Sequence, residues 1–192
     1  MENTTRITQK SHLSVRQLTT AGLTTALLCI LGPLALAIPV SPVPISLTTL
    51  ALYFITSIFG MKLSVLSCLT YLLIGAAGLP VFSGFSGGLA KMAGPTGGYL
   101  IGFLFLAGIS GAFVDHFPGK TWIHVIGMIL GTAVCYLFGT VWLAHQLGLS
   151  FTAGLGVGVL PYLPGDAAKI LLTALIAPAI RRRLPDLSDV RR

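Results

Sequence analysis

Long apolar runs alternate along this chain with short polar or Gly- and Pro-rich breaks, and the runs are too long for half-buried strands. The first covers residues 18–38, with Pro33 expected to kink it. A shorter run, 47–59, follows a Pro-rich turn at 39–44, and the Gly60-Met61-Lys62 turn leads to a third, 63–79. Residues 80–98 read PVFSGFSGGLAKMAGPTGG and predict a long irregular loop, a length that usually marks function or disorder. A fourth run covers 99–114 and a fifth 122–147, on either side of the polar break 115–120. A Gly-rich link, 148–160, opens the sixth, which ends at Ile180 before Arg181, Arg182 and Arg183.

A helix needs about 20 apolar residues to cross the hydrocarbon of a bilayer. Composition agrees with that reading: 54% of the 192 residues are hydrophobic and 9% charged, against roughly 25% charged in a soluble domain. The mean hydropathy is +0.90. The expected fold is an all-α integral membrane protein with about six transmembrane helices. It divides into a polar tail 1–17, one membrane domain 18–180 and a basic tail 181–192. The first run resembles a signal peptide, with basic residues before it and Ala35-Leu36-Ala37 as a cleavage-like triplet. It exceeds the roughly 7–15 apolar residues of a signal and more runs follow, so it is expected to stay as a span.

The formal charge of +7 does not point to nucleic acid, because the basic residues punctuate apolar runs instead of lining one soluble face. With the N-terminus in the cytoplasm, ten of the twelve fall on the inner side: Arg6, Lys10, Arg16, Lys62, Lys120, Arg181, Arg182, Arg183, Arg191 and Arg192. Only Lys91 falls in an outer loop, and Lys169 lies within a span. The positive-inside rule then predicts a multi-pass plasma-membrane protein with both termini cytoplasmic. The three outer connections, 39–44, 80–98 and 148–164, are all rich in Pro or Gly. Irregular backbone near a membrane is tolerated where it lines a protein-buried cavity, so a ligand pocket opening outward is expected.

Asp166 and Lys169 sit three residues apart just below that face, on one side of the expected sixth helix. Charges at membrane depth are costly, and such a pair is either a functional site or an ion pair tying the helix to the bundle. Catalysis finds little support. Glu2, Asp186 and Asp189 lie in the tails, and His12, His116, His124 and His145 show no metal-binding spacing. Gly119-Lys120-Thr121 ends like a phosphate loop, but Val114 stands where its first glycine belongs. Cys29, Cys68 and Cys135 each lie inside an apolar run and read as small core residues. Neither an enzyme nor a resident cofactor or metal is expected.

Four stretches carry a resemblance to a known family. Residues 43–50, VPISLTTL, resemble a segment that usually reads VPITLQTL. Residues 75–82, GAAGLPVF, and 94–100, GPTGGYL, look like its central signatures, and Pro164-Gly165-Asp166 with Lys169 matches its sixth-helix motif. In register from about residue 18 to 180, the chain resembles the BioY family, the biotin-binding S components of energy-coupling-factor (ECF) transporters.

The resemblance implies a six-helix protein that captures biotin outside and is reoriented by partners, a transmembrane coupling protein with two cytoplasmic ATPases. Small residues on the first helix would dock on the coupling protein, and Gly22 and Ala26 have the small-x-x-x-small spacing, which equally serves packing within the bundle. The biotin ureido ring offers two N–H donors and one carbonyl, which Asp166 and Lys169 would complement by charge-assisted hydrogen bonds. The valerate carboxylate would meet Lys91, or alternatively Lys169. Phe82, Phe85 and Tyr99 would supply apolar walls, although Tyr99 also suits an interfacial anchor. Ser46 and Thr48 would add polar contacts, with Ser in place of the family's Thr and the shorter Thr in place of its Gln. The expected action is capture under the 81–98 loop followed by inward delivery. Riboflavin or thiamine on the same architecture is the alternative ligand, and a membrane-embedded lipid-modifying enzyme or a purely structural subunit are the other classes.

Overall fold

A computed structural model describes residues 14–37, 39 and 41–184. The tail charges Arg6, Lys10, Arg191 and Arg192 and the carboxylates Glu2, Asp186 and Asp189 lie outside the described residues. The elements run α1 (Val15–Leu31), β1 (Ala35–Leu36), β2 (Ile45–Ser46), α2 (Thr48–Phe59), α3 (Met61–Ala76), α4 (Leu89–Ala93), α5 (Gly97–His116), α6 (Thr121–Leu147), α7 (Phe151–Gly158) and α8 (Leu163–Arg183).

α1 starts at a reciprocal cap: Ser14 Oγ accepts from the Gln17 amide at 3.2 Å, and Gln17 Oε1 accepts from the Ser14 amide at 2.9 Å. It stops at Leu31, so Pro33 ends the helix where a kink was expected. Proline has no N–H to continue the ladder, and the chain turns into a two-stranded antiparallel hairpin pairing Ala35 with Ser46 and Leu36 with Ile45. The expected long loops also hold structure, with α4 inside 80–98 and α7 inside 148–160.

Among the described residues, three helices, α5, α6 and α8, are long and apolar enough to cross a membrane, while α1, α2 and α3 are apolar but shorter. α2 has only 12 residues, yet Ala51, Leu52, Tyr53 and Ile55 are all buried in its middle. It lies at the centre against α8, α5, α3 and α1, so its apolar surface is covered by protein. The outer surface carries large apolar side chains instead, with Leu23, Ile30, Leu171 and Leu175 exposed. Hydroxyls point inward, as at Thr24, Ser67, Ser110 and Thr173. Thr24 and Ser67 share a hydrogen bond of 2.6 Å between α1 and α3. This reversal suits a lipid solvent, where packing and interhelical hydrogen bonds hold helices together.

α5 and α6 form the most extensive helix pair, and small residues let them approach. A Cβ on Gly98 would lie 2.4 Å from the Trp142 Cβ and 2.7 Å from the Phe138 carbonyl oxygen. Between α2 and α3 the turn depends on Gly60, whose φ of 78° favours glycine. The neighbouring Met61 amide, at the start of α3, donates to Asp115 Oδ2 at 2.8 Å, placing a carboxylate at the positive end of that helix.

Candidate ligand-binding site

At the opposite end of α2, the hairpin and the starts of α2 and α8 converge. Gly165 and Pro164 lie in the first turn of α8, and the buried face of that helix recurs at Asp166, Ile170, Thr173 and Ala177. That spacing of three to four residues turns Asp166 and its neighbour Lys169 inward. Lys169 Nζ donates to Asp166 Oδ1 at 3.0 Å, to Thr49 Oγ1 at 2.8 Å and to the Ser46 carbonyl at 2.9 Å. Tyr136, from the middle of α6, donates to Asp166 Oδ2 at 2.5 Å. The two charged side chains are 13% and 9% exposed for Lys169 and Asp166, so each charge is met almost wholly by protein. A buried pair of this kind is retained only where hydrogen bonds satisfy its remaining groups, and here three other elements, β2, α2 and α6, supply them.

One small cavity adjoins the pair and a second adjoins that cavity, while Asp166 and Tyr136 also edge a larger, mostly apolar cleft of ≈ 420 Å³ between α6 and α8. The first small cavity, of ≈ 60 Å³, is walled by Ile45, Thr49, Phe103, Tyr136, Tyr162, Asp166 and Lys169 among others. The second, of ≈ 40 Å³, reaches Thr48, Ser83, Thr96 and Leu100, and the two share Val43, Pro44, Ser46, Tyr99 and Phe103. Ser46 Oγ bonds to Thr48 Oγ1 at 2.6 Å and accepts from the Thr48 amide at 3.0 Å, which ties the hairpin to the first turn of α2. Over the top, the Tyr162 hydroxyl donates to the Val43 carbonyl, clasping the hairpin to the entry of α8. Burial holds the Tyr162 phenol above its ordinary pKa, so it stays a protonated donor at neutral pH. Tyr99 reaches across to donate to the Gly158 carbonyl at 2.9 Å, fixing α7 against α5.

Asp166, Lys169, Ser46, Thr48 and Tyr99 are therefore brought together around these cavities. Phe82, Phe85 and Lys91 do not line them. Phe82 is fully buried in the core, edge-on to Tyr71 with ring centroids 5.5 Å apart and pressed against Gly75. Phe85 is 68% exposed at a left-handed φ of 55°, and Lys91 lies half-buried on α4. Ser83 enters from the same loop instead. Gly22 and Ala26 lie side by side on the exposed face of α1, and a Cβ on Gly22 would meet nothing within 4 Å among the described residues.

Sequence reasoning missed Thr49, Phe103, Tyr136 and Tyr162. Thr49 stood inside the VPISLTTL stretch and Tyr162 inside Pro161-Tyr162-Leu163-Pro164, so both had a signal. Tyr136 and Phe103 had none beyond an aromatic in an apolar run. Among the described residues, no group of three or more His, Cys, Asp or Glu side chains comes together to hold a metal ion.

Fold and site together define an all-helical membrane protein with a closed polar site inside its bundle. The chain belongs to the BioY family, whose model matches residues 4–186. It is 34% identical over 168 residues to the biotin transporter BioY of Thermotoga maritima, covering 88% of this chain and 97% of that one. It is 36% identical over 146 residues to a probable biotin transporter BioY of Pyrococcus horikoshii, covering 76% and 85% of the two chains. Among solved structures it resembles the S component for biotin of an ECF-type ABC transporter, with a TM-score of 0.84 and 30% identity over 93% of this chain and 96% of that one.

Proposed function

We propose that this protein is the biotin-binding S component of an uptake transporter, capturing biotin at the Asp166–Lys169 site and delivering it inward with energy from partner ATPases. The observation that carries the reading is the buried pair itself, cross-linked to Ser46, Thr49 and Tyr136, in a chain whose relatives are biotin transporters. An acceptor beside a donor suits a ureido group, which presents N–H and C=O edges without formal charge. The aromatic and aliphatic walls Phe103, Tyr99 and Ile45 suit the sulfur ring and tail. Lys91 is the proposed partner of the carboxylate, reached by movement of the 80–98 loop.

Six crossings with both termini cytoplasmic fit three long apolar helices, three shorter ones and the inner excess of Lys and Arg. Pockets for small molecules usually hold about 300 Å³ or more. Cavities of ≈ 60 and ≈ 40 Å³ therefore describe a contracted site. Binding requires its cover to withdraw, and the Tyr162–Val43 clasp is the contact to release. The exposed small-residue face at Gly22 and Ala26 is the proposed seat of the transmembrane coupling protein.

The test is equilibrium binding of labelled biotin to purified protein, with riboflavin and thiamine as competitors. Biotin alone should bind tightly. Displacement by riboflavin or thiamine at matched concentration would reassign the ligand.

A further inference from the structure

We infer that a second cavity, at the opposite membrane face from Asp166, binds the phosphate headgroup of an anionic phospholipid. This inference stands apart from the biotin reading and from the choice of which face is cytoplasmic. The cavity holds ≈ 290 Å³ between the end of α2, the start of α6 and the end of α8. It lies along the same three helices as the biotin site but is separated from it. On α2 the inward positions run Thr49, Tyr53, Ser57, and Tyr53 shares a 2.5 Å hydrogen bond with Thr132 of α6 that closes the interior between the two ends.

Three features of the lining point to an oxyanion. Arg181 and Arg182 are part of it, and among the described residues no carboxylate is. The first turn of α6 contributes Thr121 and His124, and this helix start has no side-chain cap and no acidic residue. The positive dipole end of this 27-residue helix lies there. Its first-turn Ile123 and His124 amides already donate to the Lys120 carbonyl, which leaves those of Thr121 and Trp122. Independently, Ser57 lines the cavity at 6% exposure, and its buried Oγ has no hydrogen-bond partner among the described residues. A buried hydroxyl without a partner is uncommon, and a phosphate oxygen is an acceptor it could serve. Pro178, also in the wall, has no N–H to give the Ala174 carbonyl, so the lining carries an acceptor for headgroup hydroxyls as well.

The position favours a lipid over a free anion. Trp122, 66% exposed, stands beside Thr121, and three consecutive arginines end α8, the pattern of an interfacial anchor. Basic pockets between transmembrane helices take anionic headgroups. Met128 and Ala177 line the cavity with apolar surface suited to the start of the acyl chains of such a lipid.

Native mass spectrometry of the full chain in maltoside micelles, titrated separately with dioleoylphosphatidylglycerol and dioleoylphosphatidylcholine, tests this. The wild type should retain phosphatidylglycerol in preference to phosphatidylcholine. Arg182→Gln with Ser57→Ala should weaken it about tenfold or more, from the loss of hydrogen bonds to a charged group. Arg182→Lys should keep most of the binding. Ser57→Ala alone removes a hydroxyl and no packing, so it reports even where the double variant folds poorly, and it should weaken binding severalfold. Equal retention by wild type and Ser57→Ala, or no preference between the two lipids, would overturn the inference. Competition by inorganic phosphate at equal concentration would reassign the site to a free anion.

Discussion

Replacing Lys169 by methionine keeps most of the length of the side chain and removes its cation. Asp166 then keeps Tyr136 as its close donor, since the Thr49 contact is 3.4 Å long, and its carboxylate remains 9% exposed. Breaking a buried pair from one side costs about 3–5 kcal/mol, because the surviving charge is left uncompensated. Asp166→Asn should cost a similar amount by stranding the ammonium. The double variant, Asp166→Asn with Lys169→Met, holds no charge, and its amide oxygen can still accept from Tyr136. Its stability should return to within about 1–2 kcal/mol of the wild type, since uncharged replacements of buried pairs are often neutral. Biotin binding should not return with it. Each charge-assisted bond to the ureido group contributes about 1.5–3 kcal/mol, so losing both weakens binding by roughly a hundredfold or more. The assay pairs thermal unfolding in detergent with equilibrium dialysis of labelled biotin on all four proteins. A double variant that is stable and binds biotin as tightly as the wild type would show that the pair only ties α8 to α2, and the site assignment would fail.

Tyr162→Phe removes the clasp on the Val43 carbonyl and should speed both association and release of biotin in stopped-flow measurements, with a smaller change in affinity. Tyr136→Phe strips Asp166 Oδ2 of its 2.5 Å donor and should lower stability by about 1–3 kcal/mol, read as a shift in the unfolding midpoint. Gly98→Leu drives a side chain into Trp142 and the Phe138 carbonyl and should abolish the folded monodisperse peak in size-exclusion chromatography. Gly22→Trp with Ala26→Trp projects bulk from the exposed face of α1. It should leave biotin binding by the purified protein intact while ATP-dependent uptake in cells is lost.

Much of this protein could be read from the chain because lipid imposes a severe rule: backbone groups in hydrocarbon must be satisfied within the element. Apolar runs therefore had to be helices, and α3, α5, α6 and α8 lie close to where the hydrophobic pattern put them. The rule weakens at the membrane boundary, and there the reading was least complete. Pro33 could have kinked a long helix or ended it, and only pairing of Ala35 with Ser46 decided for an end. α4 and α7 were invisible because five and eight residues carry too little periodicity against a Gly-rich background.

For the site, sequence alone established that Asp166 and Lys169 share a helical face and that few acids were available for other chemistry. Their partners came from chain segments up to 123 residues away, as with Lys169 and the Ser46 carbonyl. No local pattern encodes which aromatic meets which carboxylate, so Tyr136 emerged only from the packing of α6 against α8. Phe82 illustrates the same limit. Its place in a loop suggested a ligand wall, but the gap left by Gly75 on α3 draws the ring into the core. Chemistry and spacing were local properties and could be read from residue order; convergence and closure depended on contacts between helices, which only the folded chain brings about.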